Sequence, residues 1–165
     1  MEDFVWHYAP WAYLPEMVSD GRLKTSNAGA SNELPMLWFS ANQHWDPTAT
    51  KLMHTRLGQV RLTFAQQASQ FGCIRFGLPA DDSRLLNWGD ACHAAKTSRE
   101  NRRQMERLGR KLGAKPAHWF ATVSDINLSE LRFQVWLPEY FWQPAKPVEM
   151  AEVWKEHRAN LQVLE

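Results

Sequence analysis

FVWHYA, residues 4–9, and MLWFS, residues 36–40, decide the fold of this chain. Both are short aromatic and apolar runs of the kind strands select, and Pro10 ends the first. Successive side chains on a strand point to opposite faces, so His7 faces away from Trp6 and Tyr8. Phe39 likewise faces away from Trp38 and Ser40. Each strand therefore carries a polar group, His7 or Ser40, among rings able to stack on a planar heterocycle in a cleft.

Working outward, Trp11, Leu14 and Met17 or Val18 have helical spacing, with Pro15 suited to a first turn and Gly21 to a C-terminal cap. Residues 24–35 read as a loop. The connector ANQHWDPTATKLM (41–53) is polar and aromatic, with a helical tail expected. QVRLTF (59–64) and CIRFG (73–77) read as strands around a short helix, AQQASQF (65–71). Residues 85–95 suggest a helix interrupted near Gly89. A stronger helix runs from Ser98 to Leu112, with Thr97 and Glu100 at capping-box spacing and Gly113 closing it. HWFATVSD (118–125), LRFQVWL (131–137) and the Pro-rich tail through Trp154 supply further strands. Strands outnumber helices without alternating regularly with them, which predicts an α+β domain.

The chain has 165 residues, 44% hydrophobic and 22% charged, with nine Trp and eight Phe. That length suits a single domain over 1–165, and the aromatics supply enough apolar area to exclude disorder. The formal charge of +1 excludes a histone-like or acidic-tail protein. No apolar run approaches the roughly 20 residues that span a bilayer, and MEDFVWHYAPW does not read as a signal peptide. A cytoplasmic protein without membrane contact, with Cys73 and Cys92 reduced, is expected. The six histidines are scattered without H-E-x-x-H or Cys-x-x-Cys, so no metal site is expected. G-x-S-x-G, G-x-x-x-x-G-K and G-x-G-x-x-G are also absent, which disfavours serine hydrolases, P-loop nucleotide hydrolysis and Rossmann dehydrogenation.

His7-Tyr8, a helix ending at Gly21, and Trp38-Phe39-Ser40 resemble the front half of the ADP-ribosyltransferase superfamily. The nearest likeness is to its RNA 2'-phosphotransferase branch and to DNA-modifying transferase toxins. The chain also resembles small bacterial proteins built around W-H-Y-T … W-F-S … W-x-P-T-A-x-K. Here those segments read Trp6-His7-Tyr8-Ala9, Trp38-Phe39-Ser40 and Trp45-Asp46-Pro47-Thr48-Ala49-Thr50-Lys51. The likeness continues through residues 60–77 to LRFQVW. The resemblance implies a split, twisted, mostly antiparallel sheet with flanking helices, gripping NAD as co-substrate in a central cleft. It implies that His7 bonds the adenosine ribose, that Tyr8 or Phe39 cradles nicotinamide beside Trp38, and that Ser40 supports the nicotinamide ribose. The roles of Trp45, Thr48 and Lys51 stay open.

Cleaving the nicotinamide–ribose bond builds positive charge on the ribose, which a neighbouring carboxylate stabilises more in the transition state than in the ground state. Where the superfamily places a late-strand Glu, this chain has Gln134, which brings no charge. Glu139 is the first substitute, with Glu149 and Glu152 behind it.

A second feature is a basic helix. Eight basic residues and two acidic ones between Lys96 and Lys115 give a local +6, leaving −5 for the rest of the chain. Arg99, Arg103, Arg107 and Arg110 share one helical stripe opposite Met105, Leu108 and Leu112. Such a stripe suits phosphates or an acidic protein surface. Three readings follow. One is an ADP-ribosyltransferase-like protein that uses NAD to modify a macromolecular acceptor (nucleic acid or a nucleic-acid-associated protein), as a toxin would. The second is a non-catalytic binding module, such as a phage or mobile-element antagonist, working through the basic helix. The third is transfer of an RNA 2'-phosphate to NAD, with Arg61, Arg75 and Arg132 as candidate cations.

Overall fold

The computed structural model describes residues 3–27 and 30–162. Strand β1 (Phe4–Ala9) leads through a 3-10 turn into helix α1 (Leu14–Asp20), with Pro15 in its first turn. Gly21 caps that helix in the left-handed region, as the sequence predicts. A short β2 (Arg22–Leu23) precedes β3 (Leu37–Ser40). The connector then departs from expectation: its tail is strand β4 (Leu52–Thr55), which forms a hairpin with β5 (Gly58–Arg61). Helix α2 (Phe64–Gln70) starts at a Thr63–Gln66 capping box, and β6 (Ile74–Pro79) follows.

Over residues 85–95 the expected interrupted helix is a strand, β7 (Leu86–Asn87), and an unbroken helix, α3 (Trp88–Ala95). Asn87 caps α3 by accepting from the Asp90 amide, so the helix begins just before Gly89. Helix α4 (Arg99–Lys111) is capped by Ser98, whose hydroxyl accepts from the Asn101 amide, one residue later than the Thr97 box predicts. Strands β8 (Trp119–Thr122), β9 (Ile126–Asn127), β10 (Arg132–Leu137) and β11 (Phe141–Pro144) complete the β structure. The tail departs from expectation again. Past β11 it is a long helix, α5 (Pro147–Gln162), with Pro147 at its first position, so Glu149 and Glu152 lie on a helix and not beside a strand.

Seven strands form one sheet in the order β11-β10-β6-β1-β3-β8-β7, with every pairing antiparallel. The class is α+β. One face carries Val5, Ala9, Leu37, Phe39, Ile74, Phe76, Phe133 and Val135, which pack with Leu14 of α1 and Ala151 of α5. Trp11 pins α5 by donating its indole N–H to the Met150 carbonyl at 2.8 Å. The opposite face carries Phe4, Trp6 and Tyr8 with Trp45, and beyond them Trp88, Cys92, Ala114 and Trp119.

Pairing along the sheet is uneven. β1 shares six residue pairs with β6, and β3 shares four with β8. Between β1 and β3 there is a single pair, Trp6↔Ser40. The sheet therefore parts at its centre, between residues 4–9 and residues 37–40.

Candidate functional site

A cavity of about 370 Å³ opens at this parting. It falls within the roughly 300–1,000 Å³ of small-molecule sites. Three successive residues of β1 (Trp6, His7, Tyr8) and three of β3 (Trp38, Phe39, Ser40) line it. Successive residues point to opposite faces, so residues belonging to both faces of the two strands border it. All five residues expected to bind cofactor are brought together here.

A side chain bridges the two strands here. His7 Nδ1 lies 2.8 Å from the Trp38 carbonyl oxygen. A carbonyl only accepts, so Nδ1 carries the proton and Nε2 is left as an acceptor. Burial lowers the imidazole pKa below its ordinary 6.5, outweighing the Trp38 bond that raises it, and nearby Lys51 lowers it further. His7 is thus neutral at pH 7, with its ring edge-on to Phe39 at 6.0 Å. On the other face, Trp6 lies against Gly77, where a Cβ would come within 2.7 Å of the indole. Tyr8 is buried, which pushes its hydroxyl up to about 12, and donates to the Asn42 carbonyl.

The residue that sequence reasoning missed is Asp46. It is 4% exposed and lines the cavity. Its Oδ2 accepts from the Ser40 hydroxyl at 2.7 Å and the Trp119 indole N–H at 3.0 Å. Its Oδ1 accepts from the Thr48 amide at 2.9 Å and the Thr48 hydroxyl at 2.5 Å. The local signal was legible: an Asp before Pro47 is confined to extended backbone and caps the turn that Pro47 starts. A cap is ordinarily exposed, and only the fold turns this one inward.

Helices α3 and α4 close the far side. Trp88 stands edge-on to Trp119 at 4.9 Å and donates its N–H to Glu106 at 2.6 Å. That bond, with Arg102, holds the Glu106 carboxyl below the usual range. Gly109 faces Trp119 so closely that a Cβ would sit 2.4 Å from the ring. Glu106 and Gly109 thus fix α4, leaving Met105 and Leu108 to line the cavity while 39% and 47% exposed. Met105 and Leu108 of the expected apolar stripe thus form a rim of the cavity. Arg61 of β5 completes the lining and donates to the Thr50 carbonyl at 3.0 Å.

Other expected residues lie elsewhere. Gln134 does not line the cavity. It sits on β10, two strands beyond β1, and accepts from Arg75 Nε at 2.8 Å. Arg75 is buried, stacked on Trp6 and Trp142 with its carbon centre 3.9 and 4.5 Å from the ring centroids. Glu139 is exposed in the turn between β10 and β11. Arg132 lies over Phe4 at 4.0 Å, so of the three arginines suggested for phosphate work only Arg61 reaches the cavity. Arg99, Arg103, Arg107 and Arg110 are exposed on α4, on the flank away from Met105 and Leu108. Arg110 reaches Glu106 at 3.7 Å; among the described residues no carboxylate pairs with Arg99, Arg103 or Arg107. Among the described residues no group of three or more His, Cys, Asp or Glu could hold a metal, and no helix is long and apolar enough to cross a membrane.

No protein-family model, curated protein or solved structure matches the chain.

Proposed function

We propose that the cavity between β1 and β3 binds NAD, and that the protein transfers ADP-ribose from it to a macromolecular acceptor. The observation that carries this reading is the parting of the sheet at one residue pair, which sets His7, Tyr8, Trp38, Phe39 and Ser40 around one cavity. The residues present suit the ligand. Indoles offer stacking surfaces for a planar ring, and His7 Nε2 can accept from a ribose hydroxyl. The carboxylate positioned to face charge developing on a ribose is Asp46, since Gln134 is neutral and engaged by Arg75, and Glu139 lies in an exposed turn.

Two measurements test the reading. Calorimetry with NAD should give binding by the wild type and weaker binding by His7→Ala; no binding by either disposes of it. Labelled NAD incubated with a cell lysate should mark an acceptor. Labelling should be lost in Asp46→Asn and kept in Glu139→Ala; loss only in Glu139→Ala moves the catalytic role to that turn.

Arg99, Arg103 and Arg107, exposed on α4 and without a carboxylate partner among the described residues, favour a second reading of that helix as the partner surface, whether or not turnover occurs. Reversing Arg103 and Arg107 to Glu should then abolish capture of an acidic partner and leave NAD binding intact.

A further inference from the structure

A second cavity, of about 240 Å³, shares no lining residue with the one between β1 and β3. It lies where α2, the end of β10 and α5 meet, and three indoles build it: Trp11, Trp136 and Trp154. Trp11 is fixed in place. Its N–H is held by the Met150 carbonyl, and Gly72 lies so close that a Cβ there would come within 2.7 Å of the Trp11 side chain. Trp154 stands 6.0 Å from Trp11 at 39°, and His157 continues the row 5.7 Å beyond Trp154. The indoles are half-buried, whereas Ser69, Pro138, Val153 and His157 are exposed, so the space is an open groove. It is smaller than the roughly 300–1,000 Å³ of enclosed small-molecule sites and suits a few rings of a chain lying across it.

Past Pro138 the surface stays apolar. Phe141 is 63% exposed, with its ring edge-on to Trp136 at 5.3 Å. Its φ of 62° lies in the left-handed region that bulky residues rarely adopt. Strain that holds a ring in solvent does nothing for the core and is typical of binding surfaces.

The polar groups decide the occupant. Among the described residues the indole N–H groups of Trp136 and Trp154 have no acceptor, and neither is sealed from water. An indole N–H only donates. Rings with spare donors fit a partner that offers rings and acceptors but few donors. A proline-rich segment is such a partner: proline has no N–H, and the polyproline II backbone makes no internal hydrogen bonds, so its carbonyls are free. It is also already extended, so little order is lost when it docks.

Charge adds a second requirement. Glu139 adjoins Pro138 on one wall and Glu156 adjoins His157 on the other, both exposed and, among the described residues, without an ion pair. At about 100° per helical residue, Glu149 and Glu156 fall within roughly 60° of Val153 on α5, whereas Lys155 and Arg158 fall about 160° and 140° away. Lys155 is moreover tied to Glu152 at 2.8 Å. The groove is apolar with an acidic rim.

We propose that the groove of Trp11, Trp136 and Trp154 binds a proline-rich peptide in the polyproline II conformation that carries basic residues beside its prolines.

The test follows the indole N–H signals of the nitrogen-15-labelled intact protein as a blocked peptide of two arginines and eight prolines is added. Trp136 and Trp154 should shift saturably while Trp38, Trp88 and Trp119 stay unchanged. Replacing every second proline with glycine should weaken binding at least about fivefold, because a flexible chain must then be ordered. Replacing the arginines with glutamates should weaken it at least about threefold at low salt, and high salt should erase that difference. Trp154→Ala, with its fold checked by circular dichroism, should lose at least about tenfold in affinity. If that variant does not fold, Val153→Lys, on the exposed face of α5, replaces it and should lose at least about threefold. Absence of saturable shifts, shifts confined to Trp38, Trp88 and Trp119, or equal binding of the glycine peptide overturns the inference. So does a folded variant that binds like the wild type. A glutamate peptide that binds equally well overturns the basic requirement. Shifts of Trp136 and Trp154 that follow protein concentration without peptide would mark a second copy as the occupant and overturn the peptide assignment.

Discussion

Gly109→Ala tests how α4 is held over the cavity. In a helix interior this change ordinarily stabilises by about 1 kcal/mol, because alanine has the higher propensity. Here the added Cβ would lie 2.4 Å from Cη2 and 2.6 Å from Cζ2 of Trp119. Carbon atoms pack at about 3.5–4.0 Å, so the indole or the helix must move by roughly 1 Å. The indole cannot move freely. Its N–H is bonded to Asp46 at 3.0 Å, and its ring is packed against Trp88 at 4.9 Å. Overpacking of this kind costs about 1–3 kcal/mol, leaving a net loss of up to about 2 kcal/mol. At about 2–4 °C per kcal/mol for a chain of this size, the melting temperature should drop by up to roughly 8 °C. Gly89→Ala is the internal control, because its Cβ would meet nothing nearer than Asn87 Oδ1 at 3.5 Å. It should be neutral or stabilising by up to about 1 kcal/mol. Differential scanning calorimetry on both variants decides. If Gly109→Ala matches or exceeds Gly89→Ala in stability, the described packing of α4 on Trp119 is wrong.

Three further outcomes follow from the same geometry. The depressed His7 pKa means that the unfolded chain binds its proton first as pH falls below 6.5. Stability should therefore decline from that point downward, with a slope of at most about 1.4 kcal/mol per pH unit. Urea titrations of His7→Leu should show a flatter profile between pH of about 6.5 and 5.5; an identical slope refutes the assignment. Burial pushes the Cys73 and Cys92 thiols up to about 12 and about 11, so a thiol reagent at mildly alkaline pH should leave the native protein unmodified and label both after denaturation. Rapid labelling of the native chain would contradict that burial. Glu106→Gln should loosen α4, because it weakens the acceptor shared by Trp88 and Arg102; hydrogen exchange of α4 amides should accelerate while those of β6 stay slow.

The strands that build the site were readable because their signals are local. FVWHYA has no competing periodicity, and alternation alone placed His7 opposite Trp6. Helix α1 was readable from Pro15 and Gly21, whose backbone preferences leave few alternatives. The errors arose where tertiary context overrides local pattern. Leu52 to Thr55 became a strand because a hairpin partner was available in Gly58 to Arg61. The Pro-rich tail turned helical because Pro147 starts a helix as readily as it ends a strand, and Trp11 and α1 offered α5 a packing surface. The spacing of Met105 and Leu108 showed that they share a face and not what that face meets. The cap at Asp46 was legible but its inward aim was not, for the same reason: it depends on Trp119, 73 residues away in sequence.

The most direct test of the site follows the tryptophan indole N–H signals by nitrogen-15 NMR as NAD is added. Trp6, Trp38, Trp88 and Trp119 line the cavity, whereas Trp11, Trp136 and Trp154 sit together on another part of the surface. Saturable shifts in the first four, with the other three unchanged, are the predicted result. Shifts confined to Trp11, Trp136 and Trp154, or none at any NAD concentration, would contradict it.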